Sequence, residues 1–135
     1  MLINYLALDV GRARIGLATG NTIARLSSVL TTVTNDEQVM AQLQTIINEQ
    51  NIDQLVVGLP RGLDGQETEQ TAYARDFAEQ LRQSTGLTTH LQDEALTSVK
   101  AEQELEKRGK PYQKGDIDAL SAVFILEDYL QEGVH

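Results

Sequence analysis

"LALDVGRARIGLA", residues 6–18, reads as two apolar strands joined by a tight turn, with a carboxylate set inside the first of them. The run 3–10 is almost continuously apolar, as expected of a strand covered on both faces, and Asp9 interrupts it. Burying an unpartnered ionised carboxylate costs on the order of several kcal/mol, so Asp9 needs a cation beside it. Arg12 or Arg14 could supply one through a structural ion pair, and a bound metal ion is the other solution. The choice depends on which other acids the fold brings to the same place.

Working outward, 14–19 and 27–34 are rich in β-branched and apolar residues and bounded by turn residues, which predicts three consecutive strands in an antiparallel meander. Asp36 opens a helical pattern through Val39, Leu43, Ile46 and Ile47 that runs to about Gln50. A strand over 52–60 is stopped by Gly58 and Pro60. After the loop "RGLDGQET", a helix is predicted over 69–85, closed by Gly86. "LTTHLQD" (87–93) predicts a fifth strand. A helix over 98–108, the basic loop "RGKPYQKG" and a last helix over 116–130 complete the chain.

The order βββαβαβαα predicts an α/β fold: a five-stranded mixed sheet flanked by helices, in which the meander is joined by two parallel strands through right-handed crossovers. That is the order of the ribonuclease H-like fold, with the first strand central between the second and the fourth. At 135 residues one domain over 1–135 is expected.

Composition narrows the chemistry. The chain has no cysteine, which excludes disulfides, thiolate metal sites and a thiol nucleophile, so any metal must be held by oxygen or imidazole. The N-terminus has neither the basic start nor the cleavage site of a signal peptide, and no apolar run reaches membrane-spanning length, which points to a soluble, cytoplasmic protein. A formal charge of −9 argues against nucleic acid when taken alone. The basic residues are unevenly placed, however, and local patches can outweigh a global sum. Arg12 and Arg14 follow Asp9, Arg61 sits in a Gly/Pro loop, and Lys107, Arg108, Lys110 and Lys114 cluster late.

Two further acidic groups bear on Asp9. Asp93 and Glu94 end the fifth strand, and Asp116 and Asp118 stand at the start of an otherwise apolar last helix. Either of the first pair could merely open a helix, and Asp116 is read as an N-cap. Asp118 lies inside the first turn of that predicted helix, with Ala119, Ser121 and Ala122 as small neighbours that permit close approach to the sheet. With the first strand central, Glu94 would arrive beside Asp9, and the last helix, crossing that face, would add Asp118. Oxygen-only ligands favour Mg²⁺ or Mn²⁺. Two such ions about 4 Å apart suit phosphodiester hydrolysis and offset the acidity of the chain.

"LALDVGRARIGLA", "VVGLPRGLDG", "LQDEALTS" and "KGDIDALSAVFILEDYL" together resemble the YqgF-type family, Holliday-junction resolvases also described as pre-16S rRNA nucleases, over nearly the whole chain and in the same order. The resemblance implies a cytoplasmic nuclease that matures the 5′ end of small-subunit ribosomal RNA. It assigns the metal-binding, catalytic acids to Asp9, Glu94 and Asp118. Arg12, Arg14, Arg61 and Lys114 are the candidate substrate contacts. Where many relatives carry an arginine directly after the Asp-Glu pair, this chain has Ala95, which bears on catalytic strength. The loop holding Gly58, Pro60, Asp64 and Gly65 resembles the family's mobile loop beside the site; it also reads as a plain strand-to-helix connection.

Other chemistries are poorly represented. His90 and His135 form no metal-binding spacing, and neither a Gly-x-Ser-x-Gly elbow nor a Walker loop occurs. Two Phe and four Tyr make extensive base stacking unpromising. Three rivals to the precursor-rRNA nuclease follow. A resolvase of branched DNA would need two sites and hence a homodimer, where the rRNA enzyme could act as a monomer. A non-catalytic RNA- or ribosome-binding domain would keep the fold without the cutting. An actin-like ATPase fragment would need a second domain to enclose its nucleotide.

Overall fold

The computed structural model describes residues 1–94 and 97–132; Ala95 and His135, singled out above, lie outside the described residues. Five strands, β1 (Asn4–Val10), β2 (Arg14–Asn21), β3 (Ser27–Thr34), β4 (Gln54–Pro60) and β5 (Thr89–Glu94), form one sheet in the order β3-β2-β1-β4-β5. β1 pairs antiparallel with β2 and parallel with β4; β2–β3 is antiparallel and β4–β5 parallel. Four helices, α1 (Val39–Glu49), α2 (Glu69–Thr85), α3 (Thr97–Arg108) and α4 (Lys114–Gln131), accompany it. The mixed sheet with a central first strand is the arrangement expected from the element order.

Strand alternation divides the core in two. Leu6, Leu8, Val10, Ile15, Leu17, Leu55 and Val57 face one side and pack with Leu43 and Ile47 of α1 and Phe77 and Leu81 of α2. Tyr5, Ala7, Ala18 and Val56 face the other, against Ala101 and Leu105 of α3 and the buried side of α4. β1 is apolar on both faces because it is covered on both. Asp9 belongs, by alternation, to the α4 face.

Element ends explain where the expected boundaries shift. Asp36 does not begin α1: its carboxylate accepts from the Gln38 backbone N–H at 3.0 Å, holding 36–38 in a turn, and the helix starts at Val39. β4 starts at Gln54 rather than 52, since Asn51 takes a left-handed φ of 54° and Asp53 is occupied in accepting from the Asn4 N–H. α2 runs as expected, with Thr68 capping one end and Gly86, at φ 72°, the other. α4 begins two residues before its expected start, at Lys114. Asp116 is consequently its third residue and not the N-cap; its carboxylate reaches back to the Gln113 backbone N–H at 2.8 Å. Asp118 therefore sits one position into the second turn.

α4 lies directly on β2. A Cβ on Gly16 would fall on the carbonyl of Asp118 and within 2.5 Å of the Ala119 nitrogen, so backbone meets backbone at this crossing. Ala119, Ser121 and Ala122, all buried, complete the close face. Gly16→Ala is therefore expected to cost about 3 kcal/mol, lowering the melting temperature by roughly 10 °C. Gly115→Ala, whose Cβ would meet Thr32 at an ordinary 3.5 Å, is expected to be neutral or stabilising because it improves helix propensity. Thermal melts of the two variants against wild type check both.

Candidate active site

Asp9 is the penultimate residue of β1 and stands between two glycines on the adjacent strands. Gly16 of β2 is its antiparallel partner. On the other side, the parallel register that pairs Leu8 with Val57 brings Gly58 of β4 alongside it. Each glycine admits a different neighbour. Gly16 admits the α4 backbone at Asp118. A Cβ on Gly58 would lie 2.9 Å from Oε2 of Glu94 and 2.5 Å from Ile125, so the bare position is what lets Glu94 of β5 extend over β4 toward Asp9. Glu94 pairs in register with Pro60, one strand further from β1, and is 7% exposed.

The result is a pair of carboxyl groups in hydrogen-bonding contact. Burial, first, and then the negative charge of Glu94 and of Asp118 push the Asp9 carboxyl well above the ordinary aspartate range. The hydrogen bond with Glu94 acts in the same direction, which is the behaviour of two acids sharing a proton. The buried Ser121 hydroxyl, on α4, hydrogen-bonds the Asp9 carboxylate and partly opposes the shift. Asp118 is close enough for its charge to be felt by Asp9. Its own Oδ2, however, accepts from Nε of Arg14 at 2.8 Å. Among the described residues no three acid or imidazole side chains are gathered tightly enough to hold a metal ion as they stand, and Asp118 is engaged by Arg14.

The remaining candidates separate. Asp93 points to the opposite side from Glu94 and pairs with Arg61 at 2.9 Å on the exposed surface, which also lies 3.6 Å from Glu67. By that alternation Glu94 is the buried member of the pair, on the Asp9 side, and Asp93 the exposed one. Arg12 stacks its guanidinium 4.6 Å from the ring centre of Tyr73 on α2, away from the acids. Of the two arginines proposed to neutralise the site, it is thus Arg14 that engages an acid, and the acid is Asp118. Lys114 is exposed at the first position of α4. His90 joins a cluster with Tyr5 and Tyr129, its Nε2 2.7 Å from Gln54 Oε1, a packing role at the far end of the sheet face from Asp9.

Sequence reasoning missed Gly16, Gly58 and Ser121 as parts of the site. From sequence Gly58 reads as a strand stop and as part of the loop that resembles the family's mobile loop, not as the gap that admits Glu94. A glycine inside a strand signals close approach, and Ser121, three residues after Asp118, shares its side of the helix.

A carboxyl whose folded-state titration lies above its unfolded one leaves the protein unpenalised at low pH and loses stability as pH rises through the folded value. Wild-type stability is accordingly expected to fall as pH increases from about 4 upward toward neutrality. Asp9→Asn, which keeps the shape and removes the ionisation, should flatten that decline and melt higher than wild type at pH 7. Chemical denaturation across a pH series measures both.

Comparison with known proteins agrees with the fold and identifies the family. A chain of T. thermophilus RuvC, solved in complex with a Holliday junction substrate, superposes with a TM-score of 0.61 at 14% identity, covering 96% of this chain and 94% of that one. Its architecture is shared. In sequence, a protein of Anaeromyxobacter sp. (strain Fw109-5) named "Putative pre-16S rRNA nuclease" is 38% identical over 98% of this chain and 99% of its own length. One of the same name from Chloroflexus aurantiacus is 40% identical over 93% of this chain and 84% of its own. The family model described as "RuvX: Holliday junction resolvase" matches residues 3–132, and the chain belongs to that family.

Proposed function

We propose that this protein is a divalent-metal-dependent nuclease that hydrolyses phosphodiester bonds in precursor 16S rRNA, using Asp9, Glu94 and Asp118. The observation that carries the reading is the Asp9–Glu94 carboxyl pair, held together by Gly58 at the end of the central strand. Two acids forced to share a proton are a costly arrangement for stability alone, and a divalent cation is the partner that would let both ionise. The donor set fits such an ion. Asp9 and Glu94 offer oxygens from one buried position, and Asp118 would add a third on leaving Arg14. Carboxylate oxygens without sulfur suit Mg²⁺ or Mn²⁺.

When bound, such ions supply an acidified water and charge compensation at the phosphate. The protein's own side chains do the rest. Asp9 and Glu94 give up their shared proton, and Ser121 keeps the Asp9 carboxylate oriented. Arg14, freed from Asp118, is placed to contact a phosphate oxygen, so one exchange of partners completes the acid set and engages substrate. Arg61 and Lys114 flank the site as further phosphate contacts. Arg12, committed to Tyr73, serves through the loop it anchors. Among the described residues no helix is long and apolar enough to cross a membrane; the proposed place of action is the cytoplasm, on ribosomal precursor particles.

A second reading, cleavage of branched DNA, draws support from the family's description and needs a homodimer with two sites. Incubating the protein with precursor RNA and with a four-way DNA junction, and mapping the products, separates the two. On either substrate Asp9→Asn is expected to reduce cutting at least a hundredfold and to weaken Mn²⁺ binding by calorimetry, with the fold intact. Unchanged cutting in that variant would overturn the proposal. Because the shared proton must leave, wild-type Mn²⁺ affinity is expected to rise by up to about tenfold per pH unit below the Asp9 titration and then level off. Gly58→Ala, which displaces Glu94, should weaken Mn²⁺ binding as well.

A further inference from the structure

Away from the acids, α3, α4 and β3 enclose a cleft of about 340 Å³, within the size range of small-ligand sites. Val29 and Leu105 give it an apolar floor, Tyr112 an aromatic wall, Arg108 and Lys110 a cationic rim, and Asp116 a single carboxylate. Val29 is 53% exposed although it is a strand residue facing this side. The cationic rim belongs to "KRGKPYQKG" (107–115), which holds four of the chain's eleven basic residues and no acid. In a protein of net charge −9 that concentration marks where an anion would be drawn.

The partners of Arg108 and Tyr112 are easily released, and Asp116 keeps one carboxylate oxygen on the Gln113 backbone N–H. Arg108 meets Glu104 at 3.6 Å with both side chains about half exposed, a pair of little net worth in water. The Tyr112 hydroxyl reaches Glu106 at 3.4 Å, a long hydrogen bond. An apolar floor with an aromatic wall suits a nucleobase, a carboxylate suits an exocyclic amino group, and a cationic rim suits the attached phosphate.

We infer that this cleft binds one nucleotide of a single-stranded polynucleotide, its base against Tyr112 and its phosphate on Arg108 and Lys110. The inference rests on the nuclease reading and specifies how that substrate is held. Asp116 and Asp118 lie on different sides of α4, so the bound strand passes from the acids over the first turn of that helix, beside Lys114, into the cleft. A helix is about 10–12 Å across, a span of a few nucleotides. The cleft therefore fixes a base a short, set distance from the bond to be cut.

The test uses full-length Asp9→Asn protein in EDTA, so that nothing is cut, with decamers carrying one 2-aminopurine, in ribo and deoxyribo forms. Binding is expected to quench the fluorophore by stacking. The double variant Arg108→Glu/Lys110→Glu should weaken the dissociation constant at least tenfold and reduce the slope of log affinity against log salt by roughly 0.7, the share of one phosphate. Tyr112→Ala should abolish quenching. Since Tyr112 also packs on the core, Val29→Glu, at an exposed position, is the second probe and should weaken binding too. Quenching that persists in Tyr112→Ala, or charge-reversed protein that binds as tightly as its parent, overturns the inference. Wild-type cutting assays are scored separately: cutting that survives Asp9→Asn defeats the nuclease reading, while cutting lost in Asp9→Asn and unaltered by the cleft substitutions defeats only the cleft.

Discussion

The architecture around Asp9 depends on the absence of side chains on both of its neighbours. A carboxyl at the end of a central strand can be met from only three directions: from either adjacent strand and from the helix above. Gly16 on β2 lets α4 descend until its backbone touches the sheet, and Gly58 on β4 leaves the gap through which Glu94 extends. Filling either position would push away one of the acids. Two glycines thus convert an ordinary apolar sheet end into a place where Asp9, Glu94 and Asp118 share one electrostatic environment.

That environment is unfavourable as it stands, and the compensations differ along it. Burial and the neighbouring Glu94 raise the Asp9 titration, so their repulsion is eased while Asp9 holds its proton, with Ser121 as a hydroxyl donor. Asp118 takes Arg14. The first solution works only for groups in contact and removed from water, the second only where a long side chain can reach. Asp118 lies at the more open side of the cluster, with its side chain 22% exposed, which is where Arg14 arrives from β2. The same geometry makes the two compensations separable: one is undone by losing a proton, the other by giving the arginine another anion.

Most of this fold could be read from periodicity because its strands are strongly patterned and α2 is capped at both ends. β1 betrayed its central position by being apolar on both faces, and α2 was bounded by Thr68 and Gly86, whose conformations match their residue types. The shifts came where side chains compete for backbone groups. Asp36 holds a turn in place of a helix start, and Gln113 rather than Asp116 opens α4. At the site, the acids themselves were legible as carboxylates in apolar surroundings. Their spacers were not, since a glycine carries no pattern of its own and its meaning depends on what approaches from another strand. Nor could sequence distinguish Arg12 from Arg14. They are two residues apart, Arg12 in the turn and Arg14 at the start of β2, yet one stacks on Tyr73 and the other crosses to Asp118.

The net charge posed a real objection to a nucleic-acid substrate, and its resolution is spatial. Several acids are matched locally: Asp93 and Glu67 surround Arg61, Glu67 also takes Arg75, and Glu79 takes Arg82, all at the exposed surface. Pairs of that kind neutralise at short range while leaving the formal sum untouched, and at physiological ionic strength a charge is largely screened beyond about 8 Å. What a polynucleotide meets is therefore set by the segments it touches. On the path proposed above those are the start of β2 with Arg14, the loop with Arg61, and the stretch 107–115 with four cations and no acid. An acidic chain can hold a polyanion when its cations are gathered along the path of the strand and its central acids are directed at ions instead of at phosphate.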